Sequence, residues 1–150
     1  MQEYNIELVT HDWDRFDDVL ALSYAILYGP FGVAKEGDWY HPANGSDFAV
    51  AMDADARLVG TARLLPAAED GTRQVRQVAV VPELSRRGIG QALMVALERT
   101  AASSGTCGLW LHARQDAVGF YERMGYIPEG SVFVSELTRI PHRTMRKWLE

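Results

Sequence analysis

The residues of this 150-residue chain best placed for chemistry lie in Val78-Ala79-Val80-Val81-Pro82-Glu83-Leu84-Ser85-Arg86-Arg87-Gly88-Ile89-Gly90-Gln91-Ala92-Leu93. An apolar run leads into a short loop with two arginines and two glycines, then into a segment of helical periodicity. The first turn of a helix leaves backbone N–H groups without intrahelical partners and carries positive partial charge. Gly88 and Gly90 lack Cβ atoms, so a ligand can approach the backbone closely, and Arg86 and Arg87 add full charges. Chemically this is a phosphate cradle. A P-loop would need Gly-Lys followed by Ser or Thr, and Gly90 is followed by Gln91; a dinucleotide fingerprint would need a third glycine where Leu93 stands. The plain alternative is a helix start that uses glycines only for tight packing.

Further candidates stand downstream. Tyr121, beside Phe120, carries a phenol that can donate a proton or simply cap a neighbour in a core. His112 alternates with Leu111 in an apolar run, and His142 follows Ile140-Pro141. Either histidine can be a base or a satisfied structural group, and Glu136 and Glu69 are weaker candidates for the base. His11 and His41 read as surface or loop residues. No His/Asp/Glu spacing resembles a metal site. Cys107, the single cysteine, permits no internal disulfide and has no evident activating partner.

The elements that must position these groups can be read from periodicity. Glu3–Val9 reads as a strand, and Asp12 or Asp14 can cap a helix running to about Tyr28, ended by Gly29-Pro30. Phe31 to Asp47 is a loop or a broken second helix. Phe48–Met52 and Leu58–Leu64 form a hairpin, and Gln74–Val81 is a strand ended by Pro82. Ile89, Leu93, Ala96, Leu97 and Thr100 recur at helical spacing, with Gly105 as the stop. Leu109–Ala113 is a strand, Asp116 caps a short helix closed by Gly125, and Ser131–Thr138 pairs with His142–Leu149. This order describes an α/β layer protein, a mixed sheet with helices on its faces.

Composition bounds the reading. With 47% hydrophobic and 23% charged residues, the chain is an ordinary globular protein. Its length suits a single domain, 1–150, that buries roughly 70% of its unfolded surface. Residues 1–60 hold 11 acidic and 3 basic side chains, whereas residues 61–150 hold 9 and 12. An acidic half suits a cationic partner such as an amine, with Asp38 and Asp47 as candidate contacts, and a basic half suits a phosphate. No basic run is interleaved with aromatics, which argues against nucleic acid. The N-terminus lacks the features of a signal peptide, and Val19–Val33 is too short and too interrupted to span a bilayer, so a cytoplasmic protein with no membrane partner is expected.

With these motifs, the chain resembles the GNAT superfamily of acyl-CoA-dependent N-acetyltransferases, whose signature is Arg/Gln-x-x-Gly-x-Gly/Ala at a strand–helix junction. Ala117-Val118-Gly119-Phe120-Tyr121-Glu122-Arg123-Met124-Gly125-Tyr126 is similar to the family's closing Ala-x-x-Phe-Tyr-x-x-x-Gly-Phe/Tyr, and Ile140-Pro141-His142-Arg143-Thr144-Met145 resembles the ElaA/YjcF-like branch. The resemblance covers roughly Leu58 to Leu149. It implies a mixed, mostly antiparallel sheet splayed between two strands, with acetyl-CoA as cosubstrate and no metal. Backbone amides from Arg86 through Arg87, Gly88, Ile89 and Gly90 to Gln91 would hold the CoA pyrophosphate. The backbone of Val78, Ala79 and Val80 would run beside the pantetheine arm, where their strand parts from Leu109–Ala113. The first signature position is Ser85 here, a departure that leaves the backbone contacts intact.

Acetyl transfer to an amine needs a neutral nucleophile, a polarised thioester carbonyl and a protonated leaving thiolate. An amine of pKa about 10.4 is neutral in only about one molecule in 2,000 at pH 7, a cost of roughly 4–5 kcal/mol. His112, His142, a glutamate or a water chain would take its proton. A backbone N–H near Val80 would polarise the carbonyl, and Tyr121 stands where the family has its acid. Tyr24, Tyr28, Phe31, Trp39 and Tyr40 would wall the pocket of a small-molecule or protein amine, or simply cover the sheet. The final strands, if exposed, allow a homodimer. Two competing functions remain: a non-catalytic acyl-CoA-binding sensor or interaction module, and a phosphate or nucleotide binder of another class.

Overall fold

A computed structural model describes residues 4–37 and 45–149. Seven strands form one sheet: β1 (Asn5–Val9), β2 (Asp47–Met52), β3 (Leu58–Leu64), β4 (Thr72–Val80), β5 (Gly108–Arg114), β6 (Ile127–Val134) and β7 (Pro141–Trp148). Their spatial order is β1-β2-β3-β4-β5-β7-β6. Every neighbouring pair is antiparallel except β4 and β5, which are parallel.

Three α-helices lie among the described residues: α1 (Phe16–Ser23), α2 (Ile89–Ser103) and α3 (Val118–Arg123). On α2, Ile89, Leu93, Met94, Leu97 and Ala101 are buried against Ala49, Ala51, Val59 and Val75, the apolar stripe expected from its spacing. Gly60 lets this helix lie close, because a Cβ there would stand 3.1 Å from both Ile89 and Leu93. On the opposite face, Phe16 and Val19 of α1 pack on Phe48, Val50, Met52 and Leu58. The two helices therefore cover opposite faces of the sheet.

The first helix is shorter than its pattern suggests. Neither Asp12 nor Asp14 caps it; Arg15 occupies that position without capping the helix through its side chain. From Tyr24 to Tyr28 the chain widens into a π-helical turn, then tightens at Gly29–Phe31. Asp116 also fails to cap α3. It sits inside a 3₁₀ turn, Gln115–Ala117, where its carboxylate meets Arg114 at 3.3 Å.

The last strand pair starts earlier than Ser131. Residues Ser135 to Ile140 leave β6 as a tight turn, closed by Ser135 N–H to Ile140 O at 3.0 Å and Arg139 N–H to Ser135 O at 2.9 Å. Only β6 is a free edge of the two, because β7 is enclosed between β5 and β6.

Candidate active site

The parallel pair at the centre of the sheet is short. Thr72–Val75 pairs with Gly108–Leu111, and no pairing continues beyond. Between Arg76 and Ala79 the strand β4 carries one residue more than its partner β3, a β-bulge, and Gln77 sits there at φ 55. A bulge bends its strand and strengthens the local twist. The two strands part at this point, as the resemblance implied for Val78 to Val80.

A cavity of about 700 Å³ fills the gap, a size ordinary for small-molecule sites. Val75 and Val78 of β4, and Leu111 to Arg114 of β5, form two of its walls. Leu27 and Tyr28 come from the π-helical turn, Tyr121 from α3, and Phe133 to Thr138, Ile140 and His142 from the β6–β7 region. All three candidate catalytic residues, Tyr121, His112 and His142, line this one space. Glu136 lines it too, whereas Glu69 does not.

The groups approach from opposite faces. Strand alternation puts Val75, Leu111 and Ala113 on the α2 face, within the same core cluster as Tyr121. Arg76, adjacent to Val75, points to the other face. So do His112 and Arg114, which pair with Thr144 and His142 of β7.

Tyr121 is buried, its ring packed edge-on against Phe120 at 5.0 Å and Tyr126 at 5.8 Å. Its hydroxyl has no hydrogen-bond partner among the described residues. Burial pushes its phenol up to about 12, so it stays a proton donor throughout the physiological range.

The histidines differ in a way that sequence could not reveal. His142 Nδ1 lies 2.8 Å from the Ile140 carbonyl, which can only accept. That nitrogen therefore carries the proton, and in the neutral ring Nε2 holds a free lone pair. His112 Nδ1 meets the Thr144 hydroxyl at 3.1 Å. Burial, then the charges of Arg76 and His142, holds its pKa below the ordinary histidine value. Phe133 touches both rings, edge-on to His112 at 4.9 Å and stacked on His142 at 5.9 Å.

The glycine loop lies at the far end of β4, entering α2. Ser85 N–H donates to Pro82 O and Ala92 N–H to Gly88 O. Between them, the six N–H groups of Arg86 to Gln91 find no backbone acceptor among the described residues. Arg86 at φ 65 and Gly88 at φ 82 turn the loop so that successive amides can converge on an anion. A Cβ on Gly88 would meet no protein atom within 4 Å, so the space above the loop is open. These features fit a pyrophosphate. Gly90 instead faces Phe120, with its Cβ position 3.4 Å from that ring, and so couples the loop to the helix bearing Tyr121.

Other sequence candidates lie elsewhere. Tyr28 lines the cavity, where Gln77 Nε2 donates to its hydroxyl at 3.4 Å. Tyr24 instead donates to Val33 O at 2.7 Å, and Phe31 is exposed. Asp47 is held by Arg73 at 2.9 Å and does not reach the cavity, which corrects its reading as an acceptor contact. Asp38, Trp39, Tyr40 and His41 lie outside the described residues. His11 pairs with Asp12 at 3.3 Å. Among the described residues no cluster of three metal-ligating side chains exists, and no helix is long and apolar enough to cross a membrane.

Several polar cavity residues escaped the sequence reading, among them Arg76, Gln77, Arg114 and Thr138. A signal for the first two existed, since Arg76-Gln77 is a polar pair inside the apolar run Val75 to Val81.

Comparison with known proteins fits this geometry. The acetyltransferase (GNAT) domain family matches residues 44–128, more than half of the chain. The chain belongs to the GNAT family. The uncharacterised N-acetyltransferase YjcF of Bacillus subtilis is 32% identical over 105 residues, which cover 69% of this chain and 71% of YjcF. A second Bacillus subtilis relative, provisionally assigned as an acetyltransferase, is 33% identical over 89 residues; these cover 59% of this chain and 58% of the relative's length. Among solved structures, Escherichia coli ElaA shares the GNAT fold with a TM-score of 0.80 at 22% identity, over 98% of this chain and 99% of ElaA. An acyl-CoA N-acyltransferase from Pseudomonas aeruginosa shares it at 0.79 and 20% identity, over 97% and 99%.

Proposed function

We propose that the chain is a single acyltransferase domain that moves an acetyl group from acetyl-CoA directly to a primary amine. The observation that carries this reading is the pairing, across one cavity in the β4–β5 gap, of an unengaged Tyr121 hydroxyl with a His142 ring whose Nε2 is free to accept a proton.

Bound acetyl-CoA would supply an activated thioester. The chain's own residues do the rest. The amides of Arg86 to Gln91, with the Arg86 and Arg87 charges, hold the phosphates and so fix the reach of the pantetheine arm. The widened end of β4, Val78 to Val80, offers the arm an edge beside the cavity. His142 Nε2 takes the proton that an incoming ammonium must lose. As the C–N bond forms and the C–S bond breaks, Tyr121 gives its proton to the departing sulfur, the acylated nitrogen sheds its surplus proton to water, and Tyr121 recovers one from solvent. His112, whose pKa is held down by burial and then by the charges of Arg76 and His142, packs its ring on Phe133 and helps to position it.

The test is a turnover assay with acetyl-CoA and a broad amine panel, read as free thiol released. Amine-dependent thiol release that falls with Tyr121→Phe supports the reading. Binding of acetyl-CoA without release for any amine would make the domain a sensor instead.

A further inference from the structure

Building on the acyltransferase reading, we infer that the acceptor is an amine that also carries a carboxylate, and that Arg76 is the residue that selects it.

The charges around the acceptor side of the cavity carry this inference. Tyr121 and α2, which starts at the phosphate loop, belong to one face of the sheet, so the acceptor has the other face. That face presents two guanidinium groups, Arg76 and Arg114, together with the two histidines. The acidic residues lining the cavity amount to Glu136 alone among the described ones. Among the described residues, the acidic first sixty contribute only Leu27 and Tyr28 to the lining. A purely cationic acceptor would meet like charge here.

Arg76 is exposed to this space and makes no hydrogen bond or ion pair among the described residues. Its charge is not spent on the fold. Arg114 gives one nitrogen to Asp116 at 3.3 Å, while its buried Nε has no partner. A buried donor without an acceptor calls for a ligand or a water. A carboxylate matches a guanidinium fork in geometry and in charge, which an amine does not. Glu136 completes the pattern by offering one carboxylate to the ammonium end of the same molecule.

The experiment is calorimetry on the CoA-saturated protein with free α-, β- and γ-amino acids, each matched to the amine of the same skeleton that lacks the carboxylate. The carboxylated member of at least one pair is expected to bind about tenfold tighter or better. Arg76→Gln should collapse that ratio towards one, and Arg76→Lys should restore part of it, with acetyl-CoA affinity unchanged in both. Equal or weaker binding of every carboxylated member, no binding by any of them, or a preference that survives Arg76→Gln overturns the inference. Failure of acetyl-CoA itself to bind the wild type would overturn the acyltransferase reading instead.

Discussion

Removing one oxygen tests Tyr121 with little disturbance, because the ring packing against Phe120 and Tyr126 survives in phenylalanine. Tyr121→Phe is expected to lower kcat by about a hundredfold or more while leaving the acetyl-CoA Kd unchanged. The same phenol has a stability signature. Its pKa, raised by burial to about 12, favours the neutral form in the folded state. Its stabilising contribution is therefore complete below the unfolded value near 10 and is lost as pH rises from about 10 to 12. Thermal unfolding followed between pH 9 and 12 should show a shallower alkaline decline for Tyr121→Phe than for wild type. His112 works in the opposite sense. Its depressed pKa favours the neutral ring in the fold, so stability is full above about pH 6.5 and falls as pH drops below that. His112→Gln should flatten this acid-side loss. His142→Gln should lower kcat/KM at neutral pH by about a hundredfold and make the residual rate climb more steeply with pH, as free amine replaces ammonium.

At the scale of elements, the loop before α2 depends on a backbone that side chains resist. Gly88 at φ 82 has open space around it, so its glycine requirement is conformational and not a matter of crowding within the protein. Gly88→Val should abolish measurable acetyl-CoA binding, since it strains that φ and fills the space over the amides; unchanged affinity would remove the loop from the site. This loop and α2 were legible from residues alone, because glycines at a helix start and an apolar stripe of period 3.6 are strong local signals. The mixed sheet with helices on its faces also followed from the alternation of elements, whereas the placement of β7 between β5 and β6 did not. The site's second half was not legible. The π-helical turn at Tyr24–Tyr28 lies against the β4 bulge, where Gln77 reaches the Tyr28 hydroxyl, and the bulge itself announced itself only as the polar pair Arg76-Gln77 inside a strand. Nor could spacing separate His142 from His112, because the difference lies in one carbonyl, Ile140 O, brought close by the turn from Ser135 to Ile140.

The whole molecule is a sheet closed by helices on both faces and opened at one seam. Tyr126, the last residue of the closing motif, ties the end of α3 to α2: its hydroxyl donates to Glu98 at 2.8 Å, and Lys147 of β7 bridges Glu98 at 2.9 Å and Met124 O at 2.8 Å. The α2 side of the core supports the same frame, so Leu93→Ala, at a fully buried position, should cost about 2–5 kcal/mol in denaturant unfolding. Acetyl-CoA binding by the folded fraction should persist. The exposed apolar side chains of the β6 edge, Ile127, Val132 and Val134, leave room for pairing with a second subunit, which sedimentation would detect. On this reading the seam and the glycine loop together form an acetyl-CoA site. Calorimetric titration of the wild-type protein with acetyl-CoA tests it most directly, with CoA, NAD and ATP as comparators. Selective micromolar binding of the CoA species, lost in Gly88→Val, is the predicted result; no heat from acetyl-CoA, or equal binding of ATP and NAD, would contradict it.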